Sequence, residues 1–499
     1  MDFALDLPDS RSKRAPLSPK KENIIPFSIP ECKAYSNQFS NKSLKDTAKL
    51  VPRLVTVLPG CKDRLESTVS LLTKYKNLDH FAYERKDVWH IGLGSRSSLQ
   101  VDPRGKTALM TGQGRQEECP IVGSLTDFVR DFIEDQSVRH EGKIFGQVGF
   151  NYGAHARDQS YTPGRWPILS IIIPELEITL RPDGVTLQGY DQQQLNEVCD
   201  FLKSTSVMPF RVPEPRPVNT HVNGKEYKTL VSKALAEIAD GKYNKVIVSR
   251  AVDLGNLVDM PSTLLHGRRG NTPARSYIMS HAGFQATGFS PELVMAVQNG
   301  IVVTEPLAGT CSRTVPKEED AEMLTHKLLS DPKEIVEHIS SVKEAISELN
   351  RFCVPDTVSV KDLMNMKERG SVAHLGSSVY GHLSPNADPW TAFNVLFPSI
   401  TASGIPKDLG LKAIDHLETR PRELYSGAVL LIDPKEEFFE AALCLRIVLQ
   451  DSTNTWIQAG AGIIAQSNPD REFTETNEKM ASMAPYIVFE GKGSKKAYA

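Results

Sequence analysis

Long apolar runs are missing from this chain. No stretch approaches the roughly 20 residues that a membrane span requires. The opening residues, MDFALDLPDSRSKRAPLSPKKEN, are acidic at once and lack the apolar centre of a secretory signal. Cysteine is sparse as well. The seven cysteines (Cys32, Cys61, Cys119, Cys199, Cys311, Cys353, Cys444) are scattered without a C-x-x-C pair, so neither a disulfide framework nor a zinc site is implied. An odd, unclustered set reads as free thiols in a reducing, cytoplasmic setting. Charge of one sign is lacking too: the formal net charge is −3 and the pI is near 6.5. That balance gives no global attraction to nucleic acid or to an anionic membrane, and any anionic ligand must be held by a local site. No G-x-x-x-x-G-K-[ST] occurs. The glycine-rich AGAGII, residues 459–464, lies inside a strand-like run with no helix starting where a nucleotide turn would need one. Glycines so placed usually mark close approach of a neighbouring strand or of a ligand.

What is present is a chain of 499 residues, 40% hydrophobic and 24% charged, long enough for one large α/β or α+β core plus a tail. Residues 1–45 are rich in Ser, Pro, Lys and Asn without a sustained period and read as a disordered tail. Residues 46–215 are strand-dominated. RLVTVLP alternates, and two β-runs flank a Pro-Asp-Gly turn at 182–184. A proline-rich linker, FRVPEPRPVN, leads into residues 220–490. There Tyr227, Leu230, Val231, Ala234, Leu235 and Ile238 recur at helical spacing, and Asp240-Gly241 stops the helix. KVIVSRAVDL follows as a β-branched strand. A second helix is expected over DPKEIVEHISSVKEAISELNRFC, with Ile335, Ile339, Val342 and Ile346 on one face. YSGAVLLID, EAALCLRIVLQ and TWIQAGAGIIA read as three successive strands. Strands joined by short turns favour antiparallel sheets with helices outside over a parallel βαβ series.

The candidate chemistry lies in a few charged side chains. Glu334 and Glu337 are i, i+3 on one predicted helix, and Glu472 and Glu475 share that spacing near the C-terminus, with Lys479 four residues beyond Glu475. Such pairs are usually solvated surface charge. If the two faces meet, they form a hard-oxygen site suited to Mg²⁺. Lys245 opens the KVIVSR strand and is either an exposed edge lysine or a half-buried base. Glu292 in GFSPELV and His374 in VAHLGSSV carry the same ambiguity. Arg446, a cation in an otherwise apolar strand, needs a partner such as a ligand carboxylate. These residues alone indicate a Mg²⁺-dependent enzyme acting on a small carboxylate.

Taken in order, SPELVMAVQNGIVVTEPLAGT, DPKEIVEH, SVAHLGSSVYGHL, LFPSITASGIPK, LYSGAVLLID and AGAGIIAQSNPDREFTETNEKM resemble the chorismate-utilising enzymes, the superfamily of anthranilate, isochorismate and salicylate synthases. The likeness is strong over roughly residues 225–490 and looser before. TASGIPK, REF-x-ET and HLGS look most like the salicylate synthases of siderophore pathways. The resemblance implies an α+β fold of two antiparallel sheets packed face to face with helices outside. It also implies Mg²⁺-bound chorismate as substrate: water adds at C2 while the C4 hydroxyl leaves, and pyruvate is then eliminated to give salicylate. Lys245 would activate the water and Glu292 would protonate the departing hydroxyl, with His374 near the elimination step. Gly309 and Thr310 would border the substrate. Tyr425, Arg446, Gly460, Ala461, Gly462 and Lys479 would bind its carboxylates. Glu337 and Glu475 match the Mg²⁺ ligands, Glu472 joins them, and Glu334 is a direct or water-mediated partner. Lys245 favours water over ammonia as nucleophile, and Ala308 in PLAGT argues against aminodeoxychorismate formation. No glutamine amidotransferase segment is seen, which argues against anthranilate. An isochorismate synthase that stops before elimination is the main rival, and a catalytically silent chorismate-binding subunit is a third reading. The nearer relatives suggest a monomer.

Overall fold

The computed structural model describes residues 53–491 apart from 113, 206–210, 313–325, 327 and 371; the expected tail, 1–45, lies outside the described residues. Among the described residues two large antiparallel sheets account for nearly all the strands. The first runs Leu54–Pro59, Gly184–Gly189, Leu176–Leu180, Val88–Leu93, His80–Arg85, Arg275–His281, Phe284–Ser290, Ile447–Gln450, Thr455–Ile463, Lys245–Asp253 and Gly404–Ile405 in spatial order. The second begins with Leu307–Ser312 and Val372–His382, passes through Ile301–Thr304, Leu293–Gln298, Phe438–Leu443 and Ala428–Asp433, and continues into Ile144–Val148 and Leu169–Ile173. The 46–215 and 220–490 segments interleave in both. His80–Arg85 pairs with Arg275–His281, and Ile144–Val148 pairs with Ala428–Asp433.

Side-chain alternation explains the layering. Phe81, Tyr83, Tyr277 and Met279 of the first sheet pack against Phe145, Ile172, Val429 and Leu431 of the second, which makes the core between the sheets. The opposite face of the first sheet is covered by helices. Helices Arg64–Lys74, Gln192–Thr205 and Met260–Gly270 bury Val69, Leu72, Leu195, Val198 and Leu264 on Trp89, Ile91 and Ile178. At the far end, helices Gly224–Ala239 and Lys407–Leu417 bury Tyr227, Val231, Leu411 and Ile414 on Val246, Val248, Ala461 and Ile463. The Pro-Asp-Gly turn and the 224–239 helix fall where the sequence patterns place them.

Two expectations are corrected. EAALCLRIVLQ is not one strand. Phe438–Leu443 belongs to the second sheet and Ile447–Gln450 to the first, and the chain crosses between them at Cys444–Arg446, with Arg446 in the left-handed region at φ 50°. The helix predicted from residue 331 spans Pro332–Leu349, capped by Asp331, whose side chain accepts from the Lys333 backbone N–H. Its apolar stripe is only partly buried, with Val342 covered at 5% exposure and Ile335 and Ile346 half-buried. Ile339 is 42% exposed, whereas Lys333, Glu334, Glu337, His338 and Ser341 are buried. A helix that hides its charged face is packing against a site rather than against an apolar core.

Candidate active site

A cleft of about 690 Å³, partly open to solvent, is lined by residues of both sheets. Gly460 and Gly462 reach it from Thr455–Ile463. Their register partners in Lys245–Asp253 are Ser249 and Ile247, while Ala461 is paired with Val248. The two-residue period therefore separates these expectations. Gly460 and Gly462 border the cleft, whereas Ala461 points the other way, into the core beneath the 224–239 helix. Its expected place among the substrate-binding residues does not match that orientation. Why glycine stands on the cleft side is now clear. A Cβ on Gly462 would lie 2.5 Å from Glu337 Oε1 and 3.2 Å from Lys245 Cε, and one on Gly460 would lie 2.7 Å from the Val248 carbonyl oxygen. The missing side chains leave room for charged groups.

Lys245 is 2% exposed, so the edge-lysine reading fails. Its Nζ lies 2.9 Å from Glu337 Oε1 and donates to Ser341 Oγ at 3.3 Å. Glu292, 1% exposed, lines the same cleft. One carboxyl oxygen accepts from Ser399 at 3.2 Å and from the Thr401 hydroxyl, and the other has no hydrogen-bond partner. Burial pushes this carboxyl up to about 8, against the opposing pull of the Thr401 and Ser399 hydroxyls. At neutral pH it is a carboxylic acid, able to give a proton.

His374, Thr310 and Arg446 form a chain. Arg446 Nη2 lies 2.7 Å from His374 Nε2, and His374 Nδ1 lies 3.0 Å from Thr310 Oγ1. A guanidinium can only donate, which makes Nε2 the acceptor and assigns the ring proton to Nδ1, donating to Thr310. Burial and then Arg446 hold the imidazole well below its ordinary value, so it stays neutral. Arg446 also donates to the Arg369 carbonyl at 2.8 Å, yet makes no ion pair among the described residues. A buried cation without an anion is a site prepared for one. Tyr425 and Lys479 complete this wall, Lys479 bonding the Gly460 carbonyl at 3.0 Å and Glu475 at 2.8 Å. Gly309, at φ 82°, turns the strand so that the Thr310 N–H reaches Glu334 at 2.8 Å.

The four glutamates do meet. Helix Pro469–Met480 begins at an Asn468 cap and is tied to strand Lys245–Asp253 by Arg250, which donates at 2.8 Å to both Thr476 and Asn477. That docking brings Glu472 and Glu475 to Glu334 and Glu337, and all four surround Lys333 Nζ at 3.5, 3.9, 3.4 and 3.9 Å respectively. The solvated-surface reading of both E-x-x-E pairs is excluded. As the side chains stand, the carboxylates are spread about an ammonium rather than closed to metal-ligand distance. The donor set fits Mg²⁺ nonetheless. It is all hard oxygen, and Glu472, fully buried, has neither carboxylate oxygen hydrogen-bonded. Burial and the neighbouring Glu475 raise the Glu472 carboxyl. Glu475, although buried, is held low by Lys479 and Lys333.

Sequence reasoning missed Ser399, Thr401 and Lys333. All three lie within the quoted blocks LFPSITASGIPK and DPKEIVEH, but nothing in spacing marks a hydroxyl or a lysine as facing a carboxylate.

Comparison with known proteins identifies the family. Residues 79–485 match the family described as chorismate binding enzyme. The chain belongs to that family. It is 36% identical over 426 residues to a salicylate synthase of Mycolicibacterium paratuberculosis, covering 84% of this chain and 92% of that protein. It is 33% identical over 372 residues to an anthranilate synthase component 1 of Saccharolobus solfataricus, covering 73% and 86%. Among solved structures, the menaquinone-specific isochorismate synthase of Escherichia coli superposes with a TM-score of 0.67 over 88% of this chain and 95% of that one, at 20% identity. That likeness shows the fold.

Proposed function

We propose that this chorismate-binding enzyme is a Mg²⁺-dependent salicylate synthase, converting chorismate through isochorismate into salicylate and pyruvate. The observation that carries the chemistry is one cleft lined by a buried acid with an unbonded oxygen, Glu292, by an arginine without an anion, Arg446, and by Glu337, behind which Lys245 lies 2.9 Å away. The choice of product is supported by the 36% identity with a salicylate synthase over most of both chains.

In this reading Lys245 takes a proton from the water that attacks C2 of the ring. Glu292 gives its proton to the C4 hydroxyl, which leaves as water while the ring double bonds shift, so water enters and water departs. The ring C–O bond to the enolpyruvyl arm then breaks while the hydrogen on C2 passes to the arm's methylene carbon, so the arm leaves as pyruvate and the ring becomes aromatic. Arg446, with Tyr425 and Lys479, would hold the carboxylate of that arm. His374, neutral and bonded at both nitrogens, would fix the guanidinium rather than carry a proton. Glu337, Glu472 and Glu475, with Glu334 beside them, would hold Mg²⁺, whose contribution is to neutralise the ring carboxylate. A cytosolic setting suits the six described cysteines, which are free thiols. Among the described residues no helix is long and apolar enough to cross a membrane.

The test is to incubate the purified protein with chorismate, with and without Mg²⁺, and resolve the products over time. Salicylate and pyruvate forming together, only with Mg²⁺, is the expected result. Isochorismate alone would make the chain a synthase that stops before elimination. Unconsumed chorismate would overturn the assignment.

A further inference from the structure

One buried cation has no part in this chemistry. Lys333 is 7% exposed and occupies the second position of helix Pro332–Leu349. That is the wrong end for a positive charge, because the first turn of a helix presents unpaired N–H groups and the positive pole of its dipole. Something outside the helix must hold the ammonium there.

The holding groups are the four carboxylates, and the pattern of the other cations shows what Lys333 does among them. Lys245 lies 2.9 Å from Glu337 and Lys479 2.8 Å from Glu475, each a close contact with one carboxylate, while Arg471 bridges Glu334 at 2.6 Å and Asp331 at 3.2 Å. Lys333 is shared instead, between 3.4 and 3.9 Å from all four. Glu472, whose oxygens have no hydrogen bond, takes Lys333 as its nearest cation at 3.5 Å. The four glutamates are thus met by cations on every side, and Asp331 adds a further carboxylate beside Arg471. An ammonium shared by carboxylates from two helices sits where a metal drawing on those carboxylates would have to sit, and two cations cannot occupy one centre.

Resting on the Mg²⁺ reading above, we propose that Lys333 is a built-in counter-ion: its ammonium fills the centre of the four-carboxylate cluster in the metal-free enzyme, must swing out before Mg²⁺ enters, and thereby sets the Mg²⁺ affinity. A second cavity of about 610 Å³ touches the cluster at Glu334 and Glu475 and is also lined by Asp331, Glu478 and Arg471, whose guanidinium holds Asp331 at 3.2 Å; this is the space the departing ammonium would enter. Asp331 caps the very turn that carries Lys333.

The experiment is calorimetric titration of Mg²⁺ into the full-length wild type, Lys333→Met and Lys333→Arg, without substrate, with thermal melts of each protein with and without metal. Removing the competing unit charge should tighten Mg²⁺ binding by roughly tenfold or more in Lys333→Met. The metal-free variant should melt below the wild type, with a larger upward shift on adding Mg²⁺. Lys333→Arg, which keeps the charge, should not gain affinity. Should Lys333→Met fail to fold, amine acetylation of the wild type read by mass spectrometry replaces it. Lys333 should be protected without metal and labelled several-fold faster with Mg²⁺, while exposed Lys225 is unchanged. Equal Mg²⁺ affinity in wild type and Lys333→Met, or Lys333 labelling indifferent to metal, would overturn the role of Lys333 and leave the metal site standing. A wild type that binds no Mg²⁺ would overturn the metal reading itself.

Discussion

Glu440 and Glu292 are both buried glutamates, 0% and 1% exposed, and they are built in opposite ways. Glu440, in the second sheet, receives Arg275 at 2.6 Å on each oxygen and the Tyr83 hydroxyl at 2.7 Å. Burial would raise its carboxyl, but Arg275, Arg85 and the Tyr83 hydroxyl together hold it below its ordinary value. Glu292 has only two hydroxyls on one oxygen and nothing on the other, and burial wins. The arginines repeat the contrast. Arg275 has its carboxylate, whereas Arg446 has a carbonyl and a neutral imidazole. Glu440 and Arg275 complete each other within the chain, whereas Glu292 and Arg446 are left for a ligand to complete, which costs stability and provides reactivity.

That contrast can be broken by exchanging the effects of substitution at the two kinds of position. Glu292→Gln removes the acid while keeping its shape, and kcat should fall about 10²- to 10⁴-fold, the range for losing a general acid. The melting temperature at neutral pH should be unchanged or higher. Retained turnover would remove Glu292 from the mechanism. Glu440→Gln should do the reverse: it strands Arg275 in the interior and costs about 3–5 kcal/mol of stability by denaturant titration. Its kcat, measured at a temperature where the variant is folded, should stay near the wild-type value. Arg446→Gln should be smaller still and confined to binding. KM should rise roughly 10- to 100-fold, matching the loss of hydrogen bonds to a charged group. The fold should not suffer, because a buried cation without an anion is removed. A large fall in stability would mean that Arg446 is structural.

How much of this was readable beforehand divides along similar lines. Elements held by apolar contacts announced themselves. The 224–239 helix shows its stripe, and the Pro-Asp-Gly turn its hairpin. Helix Pro332–Leu349 misled, because periodicity counts apolar residues, and here the apolar stripe is partly exposed while the charged face is covered. Packing on strands Leu307–Ser312 and Val372–His382, with Lys333 and Arg471 among the carboxylates, makes that burial tolerable. The break at Arg446 was equally hidden: CLRIV reads as continuous strand, and a positive φ at an arginine has no composition signal. Ala461 was different. The two-residue period of a strand already places it opposite Gly460 and Gly462, so that orientation was legible and not drawn. The positioning hydroxyls of Ser399 and Thr401 were not, since a hydroxyl facing a carboxylate leaves no spacing to find.

The finest distinction concerns the proton on Glu292. Its carboxyl stands at about 8 against an ordinary 4.5, so the folded protein keeps this proton across that interval while the unfolded chain gives it up. Two consequences follow with fixed signs. Turnover needs the protonated form, so kcat/KM should fall on the alkaline side, by about tenfold per pH unit once above 8. Stability linked to this group is fully present below 4.5 and is lost progressively as pH rises towards 8, because the unfolded chain ionises there more readily. Glu292→Gln cannot titrate. The difference in melting temperature, wild type minus variant, should therefore decline from pH 5 to pH 8 and level off beyond, with other titrating groups cancelling in the subtraction. A difference that stays flat across this range would mean that Glu292 is ionised in the folded protein, like Glu440, and that the acid of the reaction lies elsewhere.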